Sequence, residues 1–208
     1  MLGNAGMKFP DYTDAPAGLY AIDGNCGLLA AWGVLTYFGR RTSVRQLIKS
    51  CRYTKAHGVF TIALALALHD HGLTVVFHSD PDPDPRPIER ICYARARAVG
   101  LPVKPAISVR TLVRQTDRQH VGVVFYNTPD DIGHCSPLLG LRSDNLRLPY
   151  SQTGSMSVRE FSKRWREPEI LRQCIVVADA QPAVGVDGRR KLRCQIDKIA
   201  VARRSSTA

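Results

Sequence analysis

A chain of 208 residues with 44% apolar content can bury one sizeable core, and its length argues for a single domain with some decoration. The formal net charge of +11 leaves room for an acidic partner, but the arginines are dispersed and only Arg189-Arg190-Lys191-Leu192-Arg193 forms a compact basic run, which makes nucleic acid the weaker expectation. No segment approaches the roughly 18 uncharged apolar residues of a membrane span, and neither a metal site nor a cofactor is implied by the spacing of Cys and His.

Residues 1–20 are rich in Gly, Pro and Asp and read as an N-terminal arm with no packed element. They carry one basic residue, Lys8, and no continuous hydrophobic stretch, so the expectation is a cytoplasmic chain, or one exported without a cleavable signal peptide. From Cys26 to Gly39 the sequence is almost free of polar groups, which predicts a helix buried on nearly all sides, capped by Asn25 or Asp23 and ended by Gly39. Thr42 and Ser43 open a short helix with Val44, Leu47 and Ile48 on one face. A helix over Phe60 to His71 and a strand over Leu73 to Phe77 follow, separated by Gly72.

The Pro-Asp repeat of residues 80–85 can hold neither helix nor sheet and reads as a connector, opening a probable insertion over 79–105 that includes a helix from Pro87 to Val99. The insertion is expected to border the substrate groove. Ser108 caps a short helix ahead of the strand Val121 to Tyr126. Two further strands, Cys135 to Leu141 and Leu146 to Tyr150, are joined as a hairpin by Arg142-Ser-Asp-Asn145. Ser155 or Ser157 caps an amphipathic helix carrying Val158, Phe161 and Trp165, and Cys174 to Ala178 supplies another strand. Helices first and an antiparallel sheet afterwards indicate an α+β fold. Residues 179–208 read as a basic extension, with enough alternation in Leu192 to Val201 for one more strand.

The six cysteines, Cys26, Cys51, Cys92, Cys135, Cys174 and Cys194, lie far apart, mostly within apolar segments, as free buried thiols do. Cys26 differs by opening a helix, where unpaired N–H groups and the helix dipole favour a thiolate and where its own backbone N–H is available to an oxyanion. Gly27 leaves room for a carbonyl to approach. The competing reading is one more buried thiol. A base has to come from elsewhere in the chain, and of six histidines His134 stands apart as the first residue of an apolar strand after a turn.

Asn25-Cys26-Gly27 opening a helix that ends in Tyr37-Phe38-Gly39, the loop Thr54 to Gly58, the apolar helix ending at Gly72-Leu73, Gly133-His134 opening a strand, and Ser157-Val-Arg-Glu160-Phe161-Ser-Lys-Arg-Trp165 occur in one order. This order resembles the C39-type peptidases of the papain-like superfamily over about residues 20–178. The resemblance implies an α+β papain-like cysteine-hydrolase fold over residues 21–178, with the buried N-terminal helix packed on an antiparallel sheet, Cys26 as nucleophile, His134 as base, and a peptide or protein substrate. Two positions depart from the family pattern. Tyr20 stands where the family places an oxyanion-hole Gln, and its phenol can donate one hydrogen bond. Leu148-Pro149 stands where the family has an Asp-Pro pair that orients the base, which leaves Gln152 and Asp144 as candidates for that role. Three functions remain in view: a thiol-dependent peptidase, amidase or deamidase; a catalytically weak or inactive C39-like peptide-binding module; and an Arg-rich binder of an acidic partner.

Overall fold

The computed structural model describes residues 8–117 and 119–180; the expected strand over Leu192 to Val201, the rest of the basic extension and Cys194 lie outside them. The described elements are α1 (Ala17–Tyr20), α2 (Cys26–Tyr37), α3 (Val44–Ser50), α4 (Thr61–Asp70), β1 (Leu73–Ser79), α5 (Pro87–Ala98), β2 (Val103–Pro105), α6 (Val109–Arg114), β3 (His120–Asn127), β4 (Gly133–Leu138), β5 (Leu141–Arg142), β6 (Asn145–Arg147), β7 (Ser155–Ser157), α7 (Val158–Trp165) and β8 (Cys174–Asp179), with 3-10 turns at Tyr12–Asp14 and Pro168–Ile170. The class is α+β.

A five-stranded sheet runs in the order β2-β1-β8-β3-β4, and a small second sheet in the order β5-β6-β7. The large sheet is mixed, since β1 and β2 are parallel while every other pair is antiparallel. The expected hairpin forms, with Leu141 opposite Leu146 and Arg142 opposite Asn145, but it belongs to the small sheet. Gly140, at φ 96, breaks the expected Cys135 to Leu141 strand in two. The second expected strand stops at Arg147, because Leu148 to Gly154 fold into a closed loop whose ends meet through Leu148 N–H to Gly154 O at 2.9 Å.

Alternation along the strands gives the large sheet two buried faces. Val75, Phe77, Val121, Val123, Cys135, Ile175 and Val177 turn to α2 and α4 and form the main core. Val124, Tyr126, Leu138 and Cys174 turn to the opposite side and meet Leu112 of α6, Phe161 and Trp165 of α7, and Leu146 and Leu148. The unbroken apolar surface of α2 follows from this placement: Gly27 through Leu35 are all buried. Its C-terminus is a Schellman stop, with Arg40 N–H on Leu35 O at 2.8 Å, Gly39 N–H on Thr36 O at 3.0 Å, and Gly39 at φ 69.

The N-terminal arm is packed from its first described residues, contrary to the expectation. Phe9 is buried against Tyr37 and Tyr150, with ring centroids at 5.4 and 5.7 Å, and Ala15 and Leu19 join the main core. Segment 79–105 supplies α5 and the edge strand β2, and Cys92, Ala96 and Leu101 enter the core. Because β2 and β4 are opposite edges of the sheet, four strand spacings of about 4.8 Å put β2 roughly 19 Å from β4. The strand of this segment therefore does not border β4, which carries His134.

Leu28, fully buried in α2, and Ile91, exposed on α5, give a direct check of this packing. Leu28→Ala is expected to lower unfolding free energy by about 2–5 kcal/mol in a urea titration, and Ile91→Ala to change it by less than about 0.5 kcal/mol. Equal small shifts would contradict a central α2.

Candidate active site

The turn before Cys26 is fixed by two side chains that reach its backbone. Asn25 Nδ2 donates to Leu19 O at 2.8 Å, and the Tyr53 hydroxyl donates to Asp23 O at 2.6 Å. Asn25 occupies the N-cap position in a helical conformation, and neither it nor Asp23 caps α2 by its side chain. The first N–H groups of the helix are thus left uncapped by these side chains, and those of Cys26 and Gly27 favour the Cys26 sulfur instead. Gly27 is required for a different reason than expected: a Cβ there would lie 2.7 Å from Val59 Cβ, so the glycine admits the loop that follows α3 rather than a substrate carbonyl.

Cys26 is half-buried and its sulfur sits against β4, where the backbone N–H of Cys135 is its foremost hydrogen-bond donor, followed by those of Gly27 and Cys26 itself. Burial dominates all the same and raises the thiol above its ordinary value of 9.0. The expected thiolate-favouring effect of the helix start is present in these N–H groups but is outweighed. The remaining described cysteines, Cys51, Cys92, Cys135 and Cys174, are free and buried, and burial pushes Cys51 and Cys174 up to about 12.

His134 immediately precedes the Cys135 amide on which the Cys26 sulfur rests. Its Nε2 lies 3.0 Å from Tyr150 O, and its ring packs edge-on against Tyr126, centroids 5.5 Å apart, the two residues being cross-strand partners in the β3–β4 register. A carbonyl can only accept, so Nε2 carries the proton and Nδ1 presents a lone pair. Burial lowers the ring below 6.5, and the Tyr150 carbonyl opposes this. Both Cys26 and His134 are thus neutral near pH 7.

Tyr150 is the residue that sequence reasoning missed. Its ring lies so close over Gly33 of α2 that a Cβ there would fall 2.8 Å from Cε2, and its hydroxyl donates to Pro10 O at 3.2 Å. The carbonyl that holds His134 is thereby tied to the helix that carries Cys26. Backbone carbonyls leave no sequence signature, and no residue-type pattern reveals this one. Tyr126 was recoverable, since counting back from the 128–132 turn puts it opposite His134.

The other candidates fall elsewhere. Gln152 is exposed and makes no hydrogen bond to the ring, and Asp144 is exposed at φ 62 in the β5–β6 turn. Leu148, at the position of the family's orienting Asp-Pro pair, is buried in the second cluster with Phe161 and Trp165. Tyr20 is exposed, and its hydroxyl donates to the carbonyl of Tyr12, so its single donor is already engaged. Among the described residues no three His, Cys, Asp or Glu side chains converge as metal ligands, and no helix is long and apolar enough to cross a membrane.

No protein-family model matches the sequence, and a search of curated proteins found no match. Solved structures do resemble the fold. A double glycine motif protease from an AMS/PCAT transporter, in complex with its leader peptide, is 13% identical with a TM-score of 0.49, over 74% of this chain and 84% of that one. The peptidase domain of Streptococcus ComA, a bi-functional ABC transporter, is 14% identical with a TM-score of 0.47, over 74% and 91%. A protein described as a C39-like peptidase from Bacillus anthracis is 14% identical with a TM-score of 0.48, over 85% and 97%.

The raised thiol and lowered imidazole make a clear expectation for reactivity. Iodoacetamide labelling of Cys26 should keep rising with pH up to and beyond 9.0, the ordinary thiol value, because burial raises it further. A plateau between pH 5 and 8, the signature of a thiolate–imidazolium pair, would overturn the neutral assignment.

Proposed function

We propose that the chain is a thiol-dependent hydrolase, a peptidase, amidase or deamidase, with Cys26 as nucleophile and His134 as base. The observation that carries this reading is the hydrogen bond from His134 Nε2–H to Tyr150 O at 3.0 Å. It leaves Nδ1 as the basic nitrogen of a neutral ring, on the residue next in sequence to Cys135, whose amide favours negative charge on the Cys26 sulfur.

The chemistry follows from neutral partners. As Sγ of Cys26 attacks the carbonyl carbon, Nδ1 of His134 takes the thiol proton and the carbonyl π electrons pass to oxygen. That oxygen is met by backbone N–H groups of the first turn of α2. Collapse of the tetrahedral adduct breaks the C–N bond, and the leaving amine receives the proton from His134. Water then attacks the thioester carbon, giving its proton to Nδ1, and release of the acid restores the thiol. General-base activation suits a thiol whose burial disfavours a standing thiolate.

A second reading, a peptide-binding module with little or no catalysis, is favoured by two observations. The Tyr20 donor is engaged with Tyr12 O, and none of the candidate carboxylates or amides meets the His134 ring. The two readings separate in one experiment. Peptide libraries are incubated with the protein, and new termini or Gln-to-Glu conversions are read by mass spectrometry. The hydrolase reading expects Cys26→Ala and His134→Ala each to reduce product by about a thousandfold or more with the melting temperature nearly unchanged. Product formation by Cys26→Ala at the full rate would end it.

The orienting role of Tyr150 has its own test. Gly33→Ala places a methyl group against the Tyr150 ring. It is expected to lower kcat more than it raises KM and to shift the His134 ring titration in NMR, while a conservative Tyr150→Phe, which keeps ring and carbonyl, retains most of the activity. Unchanged kcat and ring titration in a folded Gly33→Ala protein would show that the ring is oriented by something else.

A further inference from the structure

Five arginines of the described chain, Arg40, Arg90, Arg95, Arg164 and Arg172, are paired with a carboxylate within 4 Å. Arg142 and Arg147 are among those with no such pair, and they share one open groove on the outer face of the small sheet. The sheet builds this face by alternation. Leu146 and Met156 turn inward to the second core cluster, so Asn145 and Arg147 of β6 and Ser155 of β7 turn outward together. Register puts Arg142 opposite Asn145 and Arg147 opposite Ser155. Arg142, Ser143, Asn145, Arg147, Thr153 and Ser155 line the groove.

This lining is donor-rich and contains no carboxylate. Asp144, the nearest acid in sequence, lies in the turn at φ 62, does not line the groove and pairs with neither arginine. Two guanidinium forks with the hydroxyls of Ser143 and Ser155 beside them match ligands bearing several negative oxygens, the Thr153 hydroxyl being engaged with Ser155 O. The groove is also joined to the candidate active site. Thr153 and Gly154 close the 148–154 loop that carries Tyr150, and Arg147 is three residues from Tyr150, at most about 11 Å along the chain.

We propose that this groove binds acidic side chains of the polypeptide on which the protein acts, so that the substrate is a peptide with a cluster of Asp or Glu near the bond attacked. The substrate role rests on the hydrolase reading above; the binding itself does not. An acidic peptide is favoured over nucleic acid because the cationic surface is two arginines in one short groove rather than a basic stripe along an element, the footprint expected for a phosphate backbone.

The test uses the full chain carrying Cys26→Ala, so that binding is read without turnover. Fluorescence anisotropy measures a labelled hexaglutamate peptide, its hexaglutamine counterpart, and a single-stranded DNA 20-mer at fixed ionic strength. Arg142→Gln/Arg147→Gln is compared with Arg41→Gln/Arg45→Gln, a charge-matched pair on an exposed surface away from the groove. The expected result is hexaglutamate binding that weakens about tenfold or more in the groove variant and less than about twofold in the control, with hexaglutamine not bound. Equal losses in both variants would reduce the effect to net charge and overturn the proposal, as would no hexaglutamate binding at all. Groove-dependent DNA binding without groove-dependent peptide binding would assign the site to nucleic acid instead. If hexaglutamate binds as expected but the wild-type chain processes other peptides and no acidic one, the substrate role is overturned while the groove stands; if it processes no peptide at all, the hydrolase reading fails.

Discussion

Tyr150 is constrained at three points, and the relation between the two halves of the site depends on them. Its ring occupies the space that any side chain at residue 33 would need, its hydroxyl bonds the backbone of the N-terminal arm at Pro10, and its carbonyl bonds His134. Helix, arm and strand β4 meet at this one residue. Packing densities leave no slack for such a ring to shift without moving its neighbours, so the helix that bears Cys26 and the strand that bears His134 are held in fixed register through it. Phe9, stacked on the same ring, extends this constraint into the arm. The arm is therefore part of what defines the orientation of the His134 ring, rather than a leader to the domain.

The same packing sets the electrostatics. Burial disfavours charge on both Cys26 and His134, raising one and lowering the other, and the two shifts oppose a resting ion pair. The Cys135 amide and the helix N-terminus pull the thiol the other way. Such groups cost nothing in the neutral state and gain strength only as sulfur and oxygen acquire negative charge, which is the condition for selective stabilisation of a transition state.

The central helix was legible in the sequence because its apolar run has no polar face, and such a helix has only the middle of a structure to occupy. The caps of α3, α6 and α7, at Ser43, Ser108 and Ser157, were equally local and equally readable. Pairing between distant segments was not. The parallel β1–β2 contact joins residues 77–79 to 103–105, and nothing in either strand's composition specifies that partner or its direction. The division of the hairpin from the main sheet hinges on Gly140, whose left-handed φ of 96 is a backbone property that a sequence pattern of apolar residues conceals. Cys26 and His134 were legible as residue types at element starts. Their supporting atoms, the Tyr150 carbonyl and the Cys135 amide, belong to the backbone, which every residue carries alike.

Segment 79–105 shows why an inserted stretch need not be a substrate loop. α5 buries Cys92 and Ala96 against the main core, Arg95 pairs with Asp70 at the end of α4, and Arg172 fixes the start of the connector through Asp80. A sheet edge left bare is a template for unwanted pairing, and β2 covers β1 on the side away from the site. The opposite edge, β4, carries His134 as its second residue and has its only described strand partner in β3. Protection is thus placed where no chemistry is proposed, while the uncovered edge is the one that carries His134, the proposed base. A groove that must admit an extended peptide has the same requirement, since a strand covered by another strand has no backbone groups left to offer it.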